Sequence, residues 1–379
     1  MKRLIIALCI ILLLCGCTNT AKPNETASTT VTTEKLIATE STPLHNEPIQ
    51  TLTCVSVPST TEEFCLEDGT ELFSYSYQHM DMIYQYPEIA NKIILEFLNR
   101  VDRSQSQAKN ILETAKSDYT ETEDWIPYFY RVVYSPSRID GSVLSLSGIQ
   151  NSYTGGLHGN ISCISANYDM ATGDVLTFGS IMHADAAVED FVELILADLR
   201  KSADSYYLYD DFEVAVRERF SGDENLYEDF YFTENGLCFY FSPYEIAPYS
   251  SGIIVVELPY SDLPGLIYDG YFPPEKETVE GKLVCGTFMD TDMEQFNNMA
   301  EVIVSTGEAL YVVYPEGTVE DVQIHLSGDN MTVPDYTLFQ AERMTDQDAV
   351  VLHLPDDLSG RITVTYSSNA ERFEIALVA

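Results

Sequence analysis

Two stretches of the chain carry residues whose types and spacing suit a binding or catalytic site. The first is Tyr153–Gly159, in which Gly155, Gly156 and His158 follow one another closely. Glycine reaches positive φ or lets two backbone segments approach closely, as a loop around a site requires. The imidazole of His158 could serve as a ligand, as a general base or as a hydrogen-bonding group that only supports the loop.

The second stretch is Ser242–Tyr249, which reads Ser-Pro-Tyr-Glu-Ile-Ala-Pro-Tyr. Its two prolines stiffen the backbone, and its two tyrosines offer the broad amphipathic contact that is typical of interface anchors. The alternative is a rigid loop whose tyrosines pack on their own sheet. The residues predicted to bind a partner are Ser242, Pro243, Tyr244, Glu245, Pro248, Tyr249, Gly155, Gly156 and His158.

A pair of carboxylates, Asp169 and Glu245, offers a catalytic alternative. Two carboxylates can act as acid and base in glycan hydrolysis when the fold holds them on either side of the bond. Asp169, however, stands beside the turn sequence Ala171–Asp174, where aspartate commonly stabilises the turn. Nothing in the sequence places the two side chains together. We therefore assign no catalytic residue, and because no CxxC or Cys/His spacing indicates zinc, no metal or cofactor either.

The elements that must position these residues run from strands to helices and back to strands. This order favours an α+β domain with an antiparallel sheet over residues 54–272. Alternation of apolar residues and turn sequences predict strands or hairpins at Leu72–Tyr77, Trp125–Tyr134, Ser142–Tyr153, Ile161–Asp169, Val175–Phe178, Tyr231–Tyr240 and Ser251–Leu258. We expect Phe239–Phe241 and Ile253–Val256 to lie in one sheet with Ser142–Tyr153.

The first helix is predicted to begin at Pro87, a residue that suits a first helical turn. Apolar residues from Ile89 to Val101 recur at helical spacing. The polar sequence from Arg103 to Asp118 either extends this helix or forms a loop.

Two further helical segments are expected before the last strands of this domain. Asp185 is predicted to cap the first of them, which runs to about Arg200. The second covers Phe212–Phe220. Beyond it, Asn235 and Gly236 form the dipeptide that favours a type I′ hairpin turn.

Residues 275–379 are predicted to form a small all-β, sandwich-like domain after a linker at Pro273–Glu277. Strand-like runs recur about every ten residues with turn residues between them. They lie at Lys282–Phe288, Ala309–Tyr314, Val319–Leu326, Thr337–Glu342, Ala349–Leu354, Arg361–Tyr366 and Arg372–Val378. The segment Glu294–Ser305 is expected to be one helix or two short pieces.

The charge of the chain is strongly unbalanced, with 60 acidic and 20 basic residues and a net charge of -40. Such a surface repels phosphate backbones, so we expect no nucleic-acid partner. The same surface attracts cationic partners, although acidity also serves simply to keep an exported protein soluble.

The amino terminus has the pattern of a lipoprotein signal peptide, residues 1–16. Lys2 and Arg3 precede an apolar run, Leu4–Leu14, that is shorter than the roughly 20 residues a membrane-spanning helix needs. Gly16 and Cys17 follow, as in a lipobox that is cleaved before a cysteine. We therefore predict lipidation at Cys17 and an extracytoplasmic, membrane-anchored protein.

Residues 17–53 are predicted to be a tether, because this Thr-rich segment lacks aromatic residues and cannot bury a core. Five cysteines follow it or lie at its end: Cys54, Cys65, Cys163, Cys238 and Cys285. Cys54 and Cys65 flank a turn-like loop and are the first choice for a disulfide, although the odd number leaves the pairing open. Cys163 and Cys238 also suit small buried positions.

The order of these motifs resembles a known bacterial extracytoplasmic module over residues 70 to 268. A Tyr-Pro-x-Ile helix start is followed by Tyr-x-Gly-Gly-x-His-Gly, Asn-Tyr-Asp, a Thr-Gly turn and Pro-Tyr-Glu-Ile-Ala-Pro-Tyr-x-x-Gly. This combination is similar to the paired DUF4163 and DUF3298 families of RsiV-type anti-sigma factors and PdaC-type peptidoglycan deacetylases.

The resemblance implies a cell-wall-related target, since RsiV-type proteins bind lysozyme and PdaC-type proteins act on peptidoglycan. This sequence shows neither an anti-sigma segment before the apolar run nor a deacetylase domain after the module. We therefore expect a lipid-anchored binding protein. The alternatives are an enzyme acting on wall glycan, through His158, Asp169 or Glu245, and a structural or assembly lipoprotein.

Replacing the predicted lipid acceptor tests the anchor. Cys17→Ser is expected to abolish fatty-acid labelling and to leave unprocessed precursor or secreted protein, because serine lacks the thiol that accepts the lipid. Metabolic labelling with a fatty acid measures the effect. Labelling of the variant at the wild-type level would show that another residue carries the lipid.

Overall fold

The computed structural model describes residues 52–120, 124–222, 228–287, 291–303, 309–328, 335–353 and 360–377. The predicted signal peptide and nearly all of the tether lie outside these residues. Within the described ranges, no helix is both long enough and apolar enough to cross a membrane.

The described elements combine many strands with a few helices. In chain order the strands are β1 (Cys54–Ser56), β2 (Ser59–Cys65), β3 (Glu71–Gln78), β4 (Asp81–Ile83), β5 (Tyr128–Ile139), β6 (Val143–Tyr153), β7 (Asn160–Asp169), β8 (Phe230–Phe232), β9 (Gly236–Phe241), β10 (Ile254–Pro259), β11 (Gly281–Thr287), β12 (Asn298–Ile303), β13 (Ala309–Gly317), β14 (Val319–Gly328), β15 (Tyr336–Met344), β16 (Asp348–His353), β17 (Gly360–Ser368) and β18 (Glu371–Leu377). The helices are α1 (Pro87–Asp118), α2 (Phe178–Ile181), α3 (Val188–Tyr206) and α4 (Phe212–Arg219). The predicted α+β class with antiparallel sheets is confirmed.

A five-stranded sheet in the order β2-β3-β5-β6-β7 forms the first layer. All its neighbours are antiparallel except β3 and β5, which pair in parallel. Helix α1 covers one face, with Ile93 and Phe97 fully buried and the Phe97 ring 5.3 Å from that of Tyr134. The polar sequence after Val101 extends this helix to Asp118, because Ala108, Leu112 and Ala115 continue its buried stripe.

A three-stranded sheet, β10-β9-β8, forms a second layer with α3 and α4. Its apolar face packs around Phe239, whose ring lies 5.5 Å from that of Phe178. The expectation that β9 and β10 share one sheet with β6 is wrong. Side chains of β6 and β7 bond to the backbone of β8 instead: Phe232 N donates to Ser145 Oγ at 2.8 Å, and Asn167 Nδ2 donates to Phe230 O at 2.7 Å.

The hairpin between β8 and β9 is confirmed, but its turn is not of type I′. Neither Asn235 nor Gly236 has positive φ. The Thr233 hydroxyl oxygen accepts from the N–H groups of both residues, at 3.1 and 3.0 Å, which closes the turn without a left-handed residue. Gly236 is needed for another reason: a Cβ there would lie 2.2 Å from the carbonyl oxygen of Leu258.

Two predictions next to the second layer also need correction. Val175 forms only an isolated bridge with Tyr168, because α2 begins at Phe178 and ends the extended segment. Helix α3 starts at Val188 with Ala187 as its N-cap, and Asp190 rather than Asp185 accepts from the Ala187 N–H.

The carboxyl-terminal strands form two facing sheets, as predicted for a sandwich. One sheet has the order β18-β17-β14-β15-β1-β4 and the other β11-β13-β16-β12. Ile324 and Leu338 of the first sheet share a buried core with Val313 and Leu352 of the second. The predicted helix at Glu294–Ser305 is wrong: a short 3-10 helix at Met293–Gln295 precedes β12, whose alternate residues face the core.

Strand β1 connects the two predicted domains. It pairs with β15 on one side and with β4 on the other, so the first sheet of the sandwich includes residues from the 54–272 region. Leu52 and Cys54 are buried in the core of that sandwich. The domain boundary between residues 272 and 275 stays a prediction.

All five described cysteines are free, so the preferred disulfide between Cys54 and Cys65 is wrong. Cys54 begins β1, whereas Cys65 ends β2 in a different sheet, at the end of a seven-residue strand that spans about 20 Å. Burial raises the pKa of Cys54, Cys163 and Cys238 to about 12. These thiols are therefore protonated near neutral pH; Cys54 and Cys238 are buried, and Cys163 is half-buried.

A buried arginine fixes the end of β5 to the second layer. Arg138 has no exposed side-chain surface and lies 2.6 Å from Asp140. Its guanidinium also donates to the Tyr260 hydroxyl at 2.6 Å and to the Tyr271 carbonyl at 2.7 Å. These contacts satisfy a buried charge that would otherwise be costly.

Removing this arginine should destabilise the fold. Arg138→Ala leaves Asp140 as a buried charge without its partner, and we expect a loss of about 3 kcal/mol in the free energy of unfolding. Urea denaturation measures the loss. Arg361→Ala, which breaks an exposed pair with Glu374, is the control and should cost less than about 1 kcal/mol. Equal losses in both variants would contradict the role of Arg138.

Candidate functional site

The two stretches singled out from the sequence meet at one end of the first sheet. The loop between β6 and β7 presents His158, and the loop after β9 presents Tyr244 and Tyr249. The His158 ring stacks on the Tyr249 ring with centroids 4.1 Å apart. The Tyr244 hydroxyl lies 3.3 Å from His158 Nε2, and the Tyr249 hydroxyl donates to the Gly159 carbonyl at 2.9 Å.

The hydrogen bonds of His158 define its tautomer. Its Nδ1 lies 2.9 Å from the Gly159 carbonyl oxygen, which can only accept, so Nδ1 carries the proton. In the tautomer with this proton alone, Nε2 accepts from the Tyr244 hydroxyl. Both ring nitrogens are engaged within the loop pair, and this supports a positioning role for the imidazole.

The glycines of the first loop are required by its backbone. Gly155 and Gly156 have φ values of +91° and +95°, where a side chain is strained. A Cβ at Gly155 would also lie 2.8 Å from the Tyr128 hydroxyl, and one at Gly159 would lie 2.7 Å from the Ser152 carbonyl oxygen. The glycines thus shape the loop, as the sequence predicted.

The second loop is held by an ion network. Glu245 pairs with Arg219 of α4 and accepts from the Ser242 N–H at 2.8 Å. Arg219 also lies 3.2 Å from Asp229, and its guanidinium lies 4.9 Å from the centroid of the Phe241 ring. Glu245 is therefore occupied in fixing the loop.

Tyr244 adopts an uncommon backbone conformation that turns its ring outward. Its φ is +74°, and its N–H donates to the Ala247 carbonyl at 3.0 Å. The neighbouring segment at the end of α3 braces the loop, because Tyr209 N donates to Ile246 O at 3.0 Å. A left-handed, non-glycine residue held in this way is often found at functional sites.

The exposed part of this region is apolar and aromatic. Leu157, at the tip of the first loop, is fully exposed at 103%, and Tyr244 is 58% exposed. We call the set Leu157, His158, Tyr244 and Tyr249 the aromatic surface. Leu157 was not among the predicted site residues, although a large apolar residue between loop glycines is a usable signal. Arg219 was not predicted either, because its pairing with Glu245 has no sequence signature.

The two carboxylates proposed as an acid–base pair are far apart. Glu245 lies beside the loop at the start of β7, whereas Asp169 ends that ten-residue strand, about 30 Å along it. Asp169 accepts from Ala171 N at 2.8 Å and Thr172 N at 2.9 Å, so it stabilises a turn. Glycan hydrolysis needs its carboxylates about 5 to 10 Å apart. Within the described ranges, no three His, Cys, Asp or Glu side chains form a group suited to a metal ion.

The arrangement thus defines an α+β domain with a solvent-facing aromatic surface and no paired catalytic carboxylates at Asp169 and Glu245. Residues 180–261 match the sequence model of DUF3298, described as a protein of unknown function. This match confirms the DUF3298 part of the family resemblance. The matched residues include Ser242–Tyr249 but not the loop that carries Gly155 and His158.

Two solved structures of DUF3298 family proteins are similar to this chain. One, from Bacteroides fragilis NCTC 9343, is 17% identical with a TM-score of 0.44 and covers 57% of this chain and 94% of its own. The other, from Pseudomonas aeruginosa PAO1, is 14% identical with a TM-score of 0.40 and covers 58% of this chain and 97% of its own. No curated protein matches the chain.

Alanine substitutions at Gly155 and Gly156 should distinguish the cost of steric crowding from the cost of backbone strain. Both Gly155→Ala and Gly156→Ala place a side chain at positive φ, which costs about 1 kcal/mol or more. Only Gly155→Ala adds a contact with Tyr128, which cannot move freely because it stacks on Trp125 and donates to Asp118. We expect the larger loss of unfolding free energy for Gly155→Ala in urea denaturation. A larger loss at Gly156 would contradict the loop geometry.

Proposed function

We propose that this chain is a lipid-anchored extracytoplasmic binding protein whose aromatic surface engages a cell-wall-related target. The observation that carries the proposal is the aromatic surface itself. Exposed Tyr244 and Leu157 stand on loops fixed by glycines, by a left-handed residue and by the Arg219–Glu245 pair. A pre-positioned aromatic group loses little conformational entropy on binding, which makes it an effective interface anchor.

The family context supports the choice of target. We propose that residues 70 to 268 form an RsiV/PdaC-like module in which a DUF4163-like part precedes the DUF3298 domain. RsiV-type proteins bind lysozyme and PdaC-type proteins act on peptidoglycan, so both are candidate targets. The sequence pattern at Cys17 supports the lipid anchor and the location outside the cytoplasm.

Of the two targets, a basic protein of the lysozyme type fits the observations better. The net charge of -40 attracts a cationic partner over distances within the Debye length. Leu157 and Tyr244 project from loops. Projecting side chains are suited to insertion into a cleft of a partner protein, whereas a sugar ring is usually bound in a pocket that encloses it. Peptidoglycan is the outcome that the binding experiment must separate from lysozyme.

Truncating the exposed tyrosine should weaken lysozyme binding. Tyr244→Ala removes an aromatic anchor, and we expect a loss of about 2 kcal/mol, or about 30-fold in affinity, mainly through faster dissociation. The melting temperature should stay nearly unchanged because the ring is largely exposed. Calorimetry and surface plasmon resonance at low salt measure the effect, and rising salt should slow association.

A matched control is Tyr268→Ala, since Tyr268 is 43% exposed and also packs on a histidine, His183, outside the aromatic surface. This variant should bind lysozyme as well as the wild type. The proposal fails if the wild-type protein binds no lysozyme at low salt, or if Tyr244→Ala binds normally. A third outcome is that the wild-type protein binds soluble peptidoglycan fragments but not lysozyme, and that Tyr244→Ala loses this binding. The aromatic surface would then remain the proposed binding site, and peptidoglycan would be its target.

A further inference from the structure

A second feature, remote from the aromatic surface, is an acidic cavity of about 270 Å³ next to the linker. Its walls come from the end of β5, the β8–β9 turn, the linker residues 274–277, and strands β14 and β15. Seven carboxylates line it, but only two cations, Lys276 and Arg343. Arg138 adds a third positive charge behind Asp140.

Lys276 ties the linker to both sides of this cavity. Its ammonium nitrogen lies 2.9 Å from Glu234 on the β8–β9 turn and 2.7 Å from Asp321 on β14. Asp321 stands at an irregularity of β14 with φ of +51°, and such a bulge redirects a side chain out of the regular ladder. The strand is thus locally distorted where it meets the linker lysine.

The other cation of the cavity is also engaged. Arg343 lies 2.7 Å from Glu320 and 3.9 Å from Glu277. Among the described residues, none forms a hydrogen bond or an ion pair with the carboxylate of Glu342. It faces Asp140 from β5, Glu234 from the β8–β9 turn, Glu320 from β14 and the phenol of Tyr84, while Arg343 is its neighbour on β15.

We propose that this cluster is a pH-dependent latch, in which Lys276 holds the linker against the β8–β9 turn and β14 while Glu342 keeps its proton. When Glu342 ionises, a further negative charge enters a cavity that already has too few cations. Repulsion from Asp140, Glu234 and Glu320 then favours local opening of the linker, which lets water reach the carboxylates.

The direction of the pH effect follows from Glu342. Burial, with Asp140 as a smaller cause, raises its pKa from the ordinary 4.5 to about 7 in the closed state. Opening returns the group to water and to its ordinary pKa, so the open state releases the proton more readily and gains population as pH rises. With these two pKa values, a rise from about pH 6 to about pH 8.5 increases the equilibrium constant for opening by up to about tenfold. Burial also raises the pKa of Glu234, and the ion pair with Lys276 opposes that rise.

Hydrogen exchange of the full chain, read by mass spectrometry at the two pH values and corrected for intrinsic rates, tests the latch. In the wild type, segment 233–236 should lose protection by about tenfold at the higher pH, because the N–H groups of Asn235 and Gly236 are hydrogen-bonded in the turn that Lys276 clamps. Glu342→Gln cannot ionise, so its protection should change less than about twofold. Glu301→Gln, an exposed carboxylate on β12, is the matched control and should follow the wild type.

Two results would overturn the proposal: equal protection of segment 233–236 in the wild type at both pH values, or the same pH response in Glu342→Gln. A further variant, Lys276→Met, removes the clamp and should exchange rapidly at both pH values. Wild-type protection in Lys276→Met would equally rule out the latch, because the linker would then be held by other contacts.

Discussion

The aromatic surface depends on one constraint, the position in which the second sheet packs on the first. Among the described strands, β8 has a ladder partner only on the side of β9. On its other side Ser145 and Asn167 bond to the β8 backbone, and Ser165 Oγ donates to the Glu228 carbonyl at 2.6 Å. A buried backbone group without a partner costs about 1 to 3 kcal/mol, so these three side chains strongly favour one position of the second sheet.

The position of the second sheet also determines where the loops at the end of the sheets lie. Strands β6 and β7 stay in register up to the pair Ser152 and Asn160, which leaves only the short glycine loop beyond them. Strand β9 ends just before Ser242, so its loop emerges beside the glycine loop. The Tyr249–Gly159 hydrogen bond and the stacking of Tyr249 on His158 then join two segments that are 90 residues apart.

Local patterns were sufficient for much of the fold. The helical spacing of Ile93 and Phe97 predicted α1, and the alternation in Ser142–Tyr153 predicted β6. The separation into two sheets was not predictable, because Ser145 and Asn167 look in sequence like ordinary polar positions of a strand. Strand β1 has only three residues, too few to show a period that would indicate its place in the sandwich.

The site was predictable in its residue types but not in its contacts. Gly155, His158 and Tyr244 were identified from their chemistry and from their rigid neighbours. Their meeting depends on long-range packing, which no local spacing encodes. The same limit applies to Glu245. From the sequence its carboxylate could be interpreted as catalytic, whereas in the structure it pairs with Arg219.

The most direct test of the account is a map of where a bound target protects the protein. Hydrogen exchange of the full chain, with and without lysozyme, should show slower exchange in both 153–159 and 242–249 and little change around the linker. Peptidoglycan fragments provide the parallel measurement for the other candidate target. Protection confined to other segments, with both loops unchanged while the target is bound, would contradict the claim that the aromatic surface is the binding site.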